Sequence, residues 1–319
     1  MKYRTLGRTG QSVSEIGFGA WAIGGTSYGP TRDKDSLQAL AAAWDHGVNF
    51  FDTADTYGQG HSEELIGKFL KGKRHQAFIA TKAGWDFYHG GSKKNFDSDY
   101  LRFACGESLK RLQTDAIDLY QLHNPKLEAI EKGEVFQVLE ELKTAGKIRF
   151  YGVSVHTPAE ALAVIRSGKA DTVQLIFNLI DQRPVGEVFP LALEKNIAMI
   201  AREPLACGLL TGKYAAESKF TKKDHRNRWP REQIETDLKK IERIQSVLKT
   251  PRLTLVRAAL EFVLSFEAVS VVIPGAKTRA QVLENVLASE DSRLRIEEVS
   301  VLRRMYEEDE LFQTGFYRN

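Results

Sequence analysis

Four residues of this 319-residue chain stand at corresponding places in successive segments and carry chemistry that interlocks. Asp52 closes the apolar run 49–52, and Tyr57 follows it in TADTYG. Lys82 closes the run 78–82 and His123 the run 117–123. A phenol with a pKa of about 10 is a poor acid near neutrality. A neighbouring ammonium favours the phenolate and lowers that value. A carboxylate beside the lysine keeps it charged and oriented, and an imidazole can hydrogen-bond a carbonyl oxygen and polarise it. Such a set can donate a proton to an oxygen that is gaining negative charge, which is what reduction of a carbonyl by hydride requires. Taken singly, each residue reads as a solvated rim group or half of a salt bridge; their joint placement carries the argument.

That placement depends on the elements that present them. Eight short β-rich runs occur, at 15–20, 49–52, 78–82, 117–123, 148–154, 172–176, 198–202 and 269–273. Helical patterns alternate with them at 35–46, 62–70, 97–112, 133–145, 158–166, 186–194, 253–266 and 279–288, with Gly47, Gly146 and Gly168 where C-caps belong. Eight runs alternating with eight helices predict an α/β fold, a parallel sheet closed into a (β/α)8 TIM barrel, in preference to an open doubly wound sheet. Outside the alternation lie an N-terminal β-hairpin (3–14), a long loop after strand seven (203–250, with the basic stretch KFTKKDHRNRWPR at 219–231) and an extra C-terminal helix (296–312). Residues 1–319 then form a single domain. Reactive groups of such barrels sit at the C-terminal ends of the strands, which is where the four residues fall.

Composition bounds the function. Lys+Arg is 45 against Asp+Glu 42, a net charge of +3 that lacks the dense basic face of a nucleic-acid binder. The two cysteines, Cys105 and Cys207, form no CxxC pair and no HExxH occurs, so no metal site is expected. No stretch approaches about 20 apolar residues, and the N-terminus lacks the apolar core of a signal peptide. The expectation is a cytoplasmic protein with neither membrane nor nucleic-acid partners; the oligomeric state is left open. Gly17-Phe-Gly19 opens no helix, so it is not a Rossmann fingerprint.

Seven further stretches are distinctive: GFGAWAIGG (17–25), FDTADTYGQGHSEELIG (51–67), ATKAG (80–84), DLYQLHNP (118–125), GVS (152–154), REPLACGLLTGKY (202–214) and IPGAKTRAQVLEN (273–285). On these motifs the chain resembles the aldo-keto reductase superfamily over essentially its full length. The likeness is to the general bacterial and plant branch rather than the aldose-reductase branch. It implies an NADP(H)-dependent oxidoreductase, with NAD(H) as the alternative, acting on an aldehyde, ketone or open-chain sugar, or on the corresponding alcohol. In this likeness Tyr57 is the general acid in reduction and the base in oxidation, Lys82 depresses its pKa, Asp52 anchors Lys82 and His123 orients the carbonyl. Ser154 and Gln174 would hydrogen-bond the nicotinamide carboxamide, and Arg202 occupies the position where many relatives stack an aromatic ring. Pro204, Leu205, Gly208 and Lys213 would follow the pyrophosphate, with Trp21 and Asp52 also facing the dinucleotide. Gly275, Lys277 and Gln281 would hold the adenosine end, helped by Arg279, with Glu284 and Asn285 on the adenine. Trp21, Tyr57, Trp85, His123 and Asn124 would wall the substrate pocket.

Two other readings compete. A non-catalytic, nicotinamide-binding regulatory subunit of the same fold would bind without turning over, though the intact set of four counts against it. A TIM-barrel glycosidase would need two carboxylates about 5–9 Å apart, for which only Asp52 and Glu203 offer themselves.

Overall fold

The computed structural model describes residues 1–25, 27–248, 253–290 and 294–314. The chain opens with an antiparallel hairpin, β1 (Tyr3–Thr5) and β2 (Ser12–Ser14), with Tyr3 opposite Ser14. The alternation then begins: β3 (Phe18–Gly19), α1 (Asp33–Asp45), β4 (Phe50–Asp52), α2 (His61–Leu70) and β5 (Phe78–Ala83). A small hairpin, β6 (Trp85–Asp86) with β7 (Lys93–Lys94), precedes α3 (Ser98–Leu112), β8 (Ile117–His123), α4 (Leu127–Lys132), α5 (Val135–Thr144) and β9 (Ile148–Ser154). There follow α6 (Pro158–Ser167), β10 (Thr172–Ile176), α7 (Val188–Glu194), β11 (Ala198–Arg202), α8 (Arg231–Val247), α9 (Leu255–Leu264), β12 (Val269–Val272), α10 (Arg279–Val286) and α11 (Ile296–Glu308).

The eight strands β3, β4, β5, β8, β9, β10, β11 and β12 pair in that order and in parallel. Backbone bonds then join the first and last: Gly17 N–H to Val272 O (2.8 Å), Val272 N–H to Glu15 O (2.9 Å) and Gly19 N–H to Pro274 O (3.1 Å). The sheet is therefore a barrel, as the alternation predicts. Its strands are buried on both faces and read as nearly continuous apolar runs for that reason.

The barrel interior is layered. Its lower part is apolar, with Phe50, Phe78, Leu119, Ile200 and Val271 stacked on Leu6 and Val13 of the hairpin, which plugs the bottom. Burying each large side chain of this kind contributes about 1.5–3 kcal/mol. Nearer the C-terminal ends the inward positions turn polar, with Asp52, Lys82, Gln121 and Gln174 all buried. The helices cover the outside through a second, larger apolar cluster.

Two elements differ from the sequence reading. The helix expected at 133–145 is α5, but a short helix the sequence reading lacks, α4, precedes it and is ended by Gly133 (φ +74°). The segment 203–250 is not all loop, since it contains the 17-residue α8. Its apolar stripe (Ile234, Ile241, Ile244) is interrupted on the buried side by the ion pair Asp237–Lys240, which masked the helical period. Residues 249 and 250 of that segment lie outside the described residues, as do the last five of the predicted domain. Among the described residues no helix is long and apolar enough to cross a membrane.

Candidate active site

The ends of β4, β5, β8 and β10 meet in one hydrogen-bonded layer. Lys82 Nζ donates to Asp52 Oδ1 (2.6 Å), to the Thr53 carbonyl (2.8 Å) and to Tyr57 Oη (3.4 Å). An ammonium has three protons, so the lysine is fully engaged and its direction is fixed. Gln174 Nε2 (2.7 Å) and Gln121 Nε2 (3.3 Å) donate to Asp52 Oδ2. These contacts carry a buried ion pair without leaving its lone pairs empty. Burial alone would lower the Lys82 pKa, but Asp52 and Tyr57 outweigh it and the net shift is upward.

Tyr57 reaches this layer through a tight turn. A Cβ at Gly58 (φ +63°) would lie 2.2 Å from the Gly24 carbonyl oxygen, so only glycine lets the Tyr57–Gly58 step rest against the 22–25 segment. Trp21 stacks on the Tyr57 ring at 6.0 Å, and His123 meets it edge-on at the same distance. Burial pushes the Tyr57 pKa up; Lys82 pulls it down without overcoming that burial. The lysine acts in the expected direction, but burial outweighs it, and the resting phenol is protonated. Burial, then Lys82 and Arg202, hold His123 well below its usual value, so it is a neutral imidazole, and its buried Nδ1 has no hydrogen-bond partner among the described residues.

Above this floor lies a cavity of about 810 Å³, within the range of small-molecule and cofactor sites. It runs from Trp85 and Asn124 on one side, across Tyr57 and His123, to Gly275 and Lys277 on the other. Two loops roof it. His225 N–H donates to the Ser27 carbonyl (2.9 Å), its Nδ1 meets the same oxygen at 2.8 Å, and its ring packs on Trp21 (4.8 Å) and Tyr28 (4.6 Å). Arg226 pairs with Asp224 (2.7 Å) and donates to the Cys207 carbonyl and Tyr214 Oη, both at 2.9 Å. Lys277 Nζ donates to the Tyr28 carbonyl.

Of the residues expected from the sequence, Trp21, Asp52, Tyr57, Trp85, His123, Asn124, Ser154, Gln174, Arg202, Pro204, Leu205, Gly208, Lys213, Gly275, Lys277 and Gln281 line this one cavity. Lys82 does not; it lies beneath the floor, fully buried. Glu284 and Asn285 fall beyond the lining on α10, where Asn285 is buried. Arg279 is exposed outside it. Gln174 has its amide N–H on Asp52, which leaves its carbonyl oxygen for a ligand, and Ser154 Oγ donates to Asn124 Oδ1 (3.2 Å). Arg202 is tethered to Glu203, the Val155 carbonyl (3.1 Å) and His156 Nδ1 (3.0 Å), so its guanidinium is held at the end of β11.

Sequence reasoning missed Tyr28, His156, Cys207, Arg226 and Arg228, all of which line the cavity. His156, two residues past Ser154, was within reach of the strand-end rule. Tyr28 and the two arginines come from loops whose approach no local pattern announces. Backbone strain marks the same places: Asn124, Glu203 and Cys207 hold φ of +59°, +53° and +52°, and each lines the cavity.

The cavity suits a dinucleotide. Arg226, Arg228, Lys213 and Lys277 line it with positive charge, and Gly208 presents bare backbone where a Cβ would lie 3.2 Å from Arg226 Nη1. Comparison with known proteins agrees in kind. The model of the Aldo/keto reductase family matches residues 15–307. The uncharacterized oxidoreductase YqkF of Bacillus subtilis is 34% identical over 97% of this chain and 98% of its own. The Schizosaccharomyces pombe protein described as the NADP(+) aldo-keto reductase yakc is 34% identical over 86% of this chain and 83% of its own. Among solved structures, the holo form of the aldo-keto reductase AKR11C1 from Bacillus halodurans superposes with a TM-score of 0.83 at 31% identity, covering 100% of both chains.

Proposed function

The chain belongs to the aldo/keto reductase family, in its general bacterial and plant branch, and from that premise we propose an NADP(H)-dependent carbonyl reductase with Tyr57 as its acid–base group. The observation that supports this best is the single ammonium, Lys82, bonded at once to Asp52 and to Tyr57 Oη beneath the cavity. The bound nicotinamide would supply the hydride in reduction and accept it in oxidation.

The residues of the chain do the rest. His123, neutral, orients the carbonyl of an aldehyde, ketone or open-chain sugar. Tyr57 donates its phenolic proton to that oxygen as negative charge develops. Lys82 stabilises the phenolate that remains, and Asp52 keeps Lys82 charged and aimed. The resting phenol, kept protonated by burial, is in the form that reduction needs. Asn124 and the free carbonyl of Gln174 offer a donor and an acceptor to a carboxamide. Lys213, Arg228 and Lys277 offer charge to phosphates, and the NADP(+) in the description of yakc supports the phosphorylated cofactor.

The test is loss of reduced-nicotinamide absorbance when the purified protein meets NADPH, or NADH, and a reactive aromatic aldehyde. Turnover with NADPH faster than with NADH is expected. Binding of either without turnover would overturn the reading in favour of a regulatory subunit.

A further inference from the structure

The first turn of α2 follows directly on the Tyr57 loop, and two of its side chains, Ser62 and Glu63, are completely buried. Ser62 Oγ accepts from Thr53 Oγ1 (2.8 Å) and donates to the Ala20 carbonyl (3.0 Å). Glu63 Oε1 accepts from Thr81 Oγ1 (2.5 Å), while its Oε2 takes Arg111 Nε of α3 at 2.7 Å. Arg111 Nη2 then donates to Tyr88 Oη (2.7 Å), in the loop of the β6–β7 hairpin, whose first strand carries Trp85 of the cavity wall.

Thr81 and Lys82 are neighbours on β5, and successive strand side chains point to opposite faces. Lys82 points into the barrel to Asp52, and Thr81 points out to Glu63. The two bonds grip the strand from both sides at the level of the proton-transfer group. Asp55, on the Tyr57 loop, is also buried facing Glu63 and Arg111; burial pushes its carboxyl well up, which leaves Arg111 to Glu63.

We propose that Glu63 and Arg111 are positioning residues for proton transfer, acting through Thr81 to hold Lys82 under Tyr57 and through Tyr88 to hold the substrate wall in register with it. Neither Glu63 nor Arg111 lines the cavity. Its effect on chemistry runs through the distance from Lys82 to Tyr57. The proposal rests on the assignment of Tyr57 as the acid.

Thr81→Val removes the strand-side bond at nearly constant shape. A looser Lys82 stabilises the phenolate less, so the tyrosine titrates higher. The alkaline limb of the reduction rate should move up by about half a pH unit, and oxidation at neutral pH should slow about threefold, with the dissociation constant for NADPH unchanged. Glu63→Ala should do the same, and Glu63→Gln, which keeps an acceptor for Thr81, should restore most of the parental profile. A role in stability alone would lower the active fraction and leave the pH profile in place; that result for Thr81→Val, in protein shown by NADPH titration to be fully competent to bind, would overturn the proposal. Tyr57→Phe separates the two claims. If it keeps the parental profile, the acid assignment fails. If it is inactive while Thr81→Val matches the parent, only the positioning claim fails.

Discussion

The floor and the roof of the cavity are built by different means. The floor is made of strand ends: Asp52, Lys82 and Gln174 come from three strands, are at most 2% exposed, and bond to one another by side chains. The roof is made of the loops after β3, β11 and β12, held together by aromatic packing, two backbone carbonyls and one ion pair. Sheet register fixes the first. The second has few covalent constraints, and its cations, Lys213 and Arg228, remain exposed. The contrast separates chemistry, which tolerates little displacement, from ligand retention, which requires segments able to part and close.

Substitutions at the floor should do the most damage. Lys82→Met strands the Asp52 carboxylate, and is expected to cost about 3–5 kcal/mol of stability by urea denaturation and to reduce turnover by about 10⁴-fold. At the roof the effects should be smaller and should fall on binding. Lys277→Ala is expected to weaken NADPH binding about tenfold, or about 1.4 kcal/mol, by fluorescence titration while leaving NADH nearly unaffected. Equal weakening of both would show that this lysine does not read the 2′-phosphate. His225→Ala opens the clasp on Ser27, and should speed cofactor release a few-fold (roughly 1 kcal/mol or less in the barrier) in stopped-flow displacement without slowing the hydride step.

The smallest effect concerns pH. The folded state holds His123 well below the ordinary imidazole value of 6.5. As pH falls through that value the unfolded chain takes up a proton that the folded chain refuses, so this stabilising contribution is present above it and is lost below it. Thermal denaturation should show Tm declining from pH 7 to pH 5, and declining less in His123→Asn.

The same contrast explains what was legible in the sequence. Strand ends are readable because a run of β-rich residues ends at a definite place; Asp52, His123 and Ser154 close their strands as that rule has it, and Lys82 lies one residue before the end of its own. The tyrosine's net shift was not readable, since burial, which wins, is a property of the folded neighbourhood rather than of the motif. Roof residues such as Tyr28 and Arg226 are nearly 200 positions apart and meet only in three dimensions, through the Arg226 guanidinium over the Tyr28 ring at 5.2 Å. The charged face of α8 hid a helix because its buried Asp237 and Lys240 are paired with each other, an arrangement no hydrophobic period reveals.

The central claim is that Tyr57, set by Lys82, moves the proton. Single-turnover mixing of the NADPH complex of Tyr57→Phe with an aromatic aldehyde tests it most directly. NADPH should bind as tightly as to the parent while the hydride step slows by about a thousandfold; a hydride step at the parental rate would rule out Tyr57 as the acid.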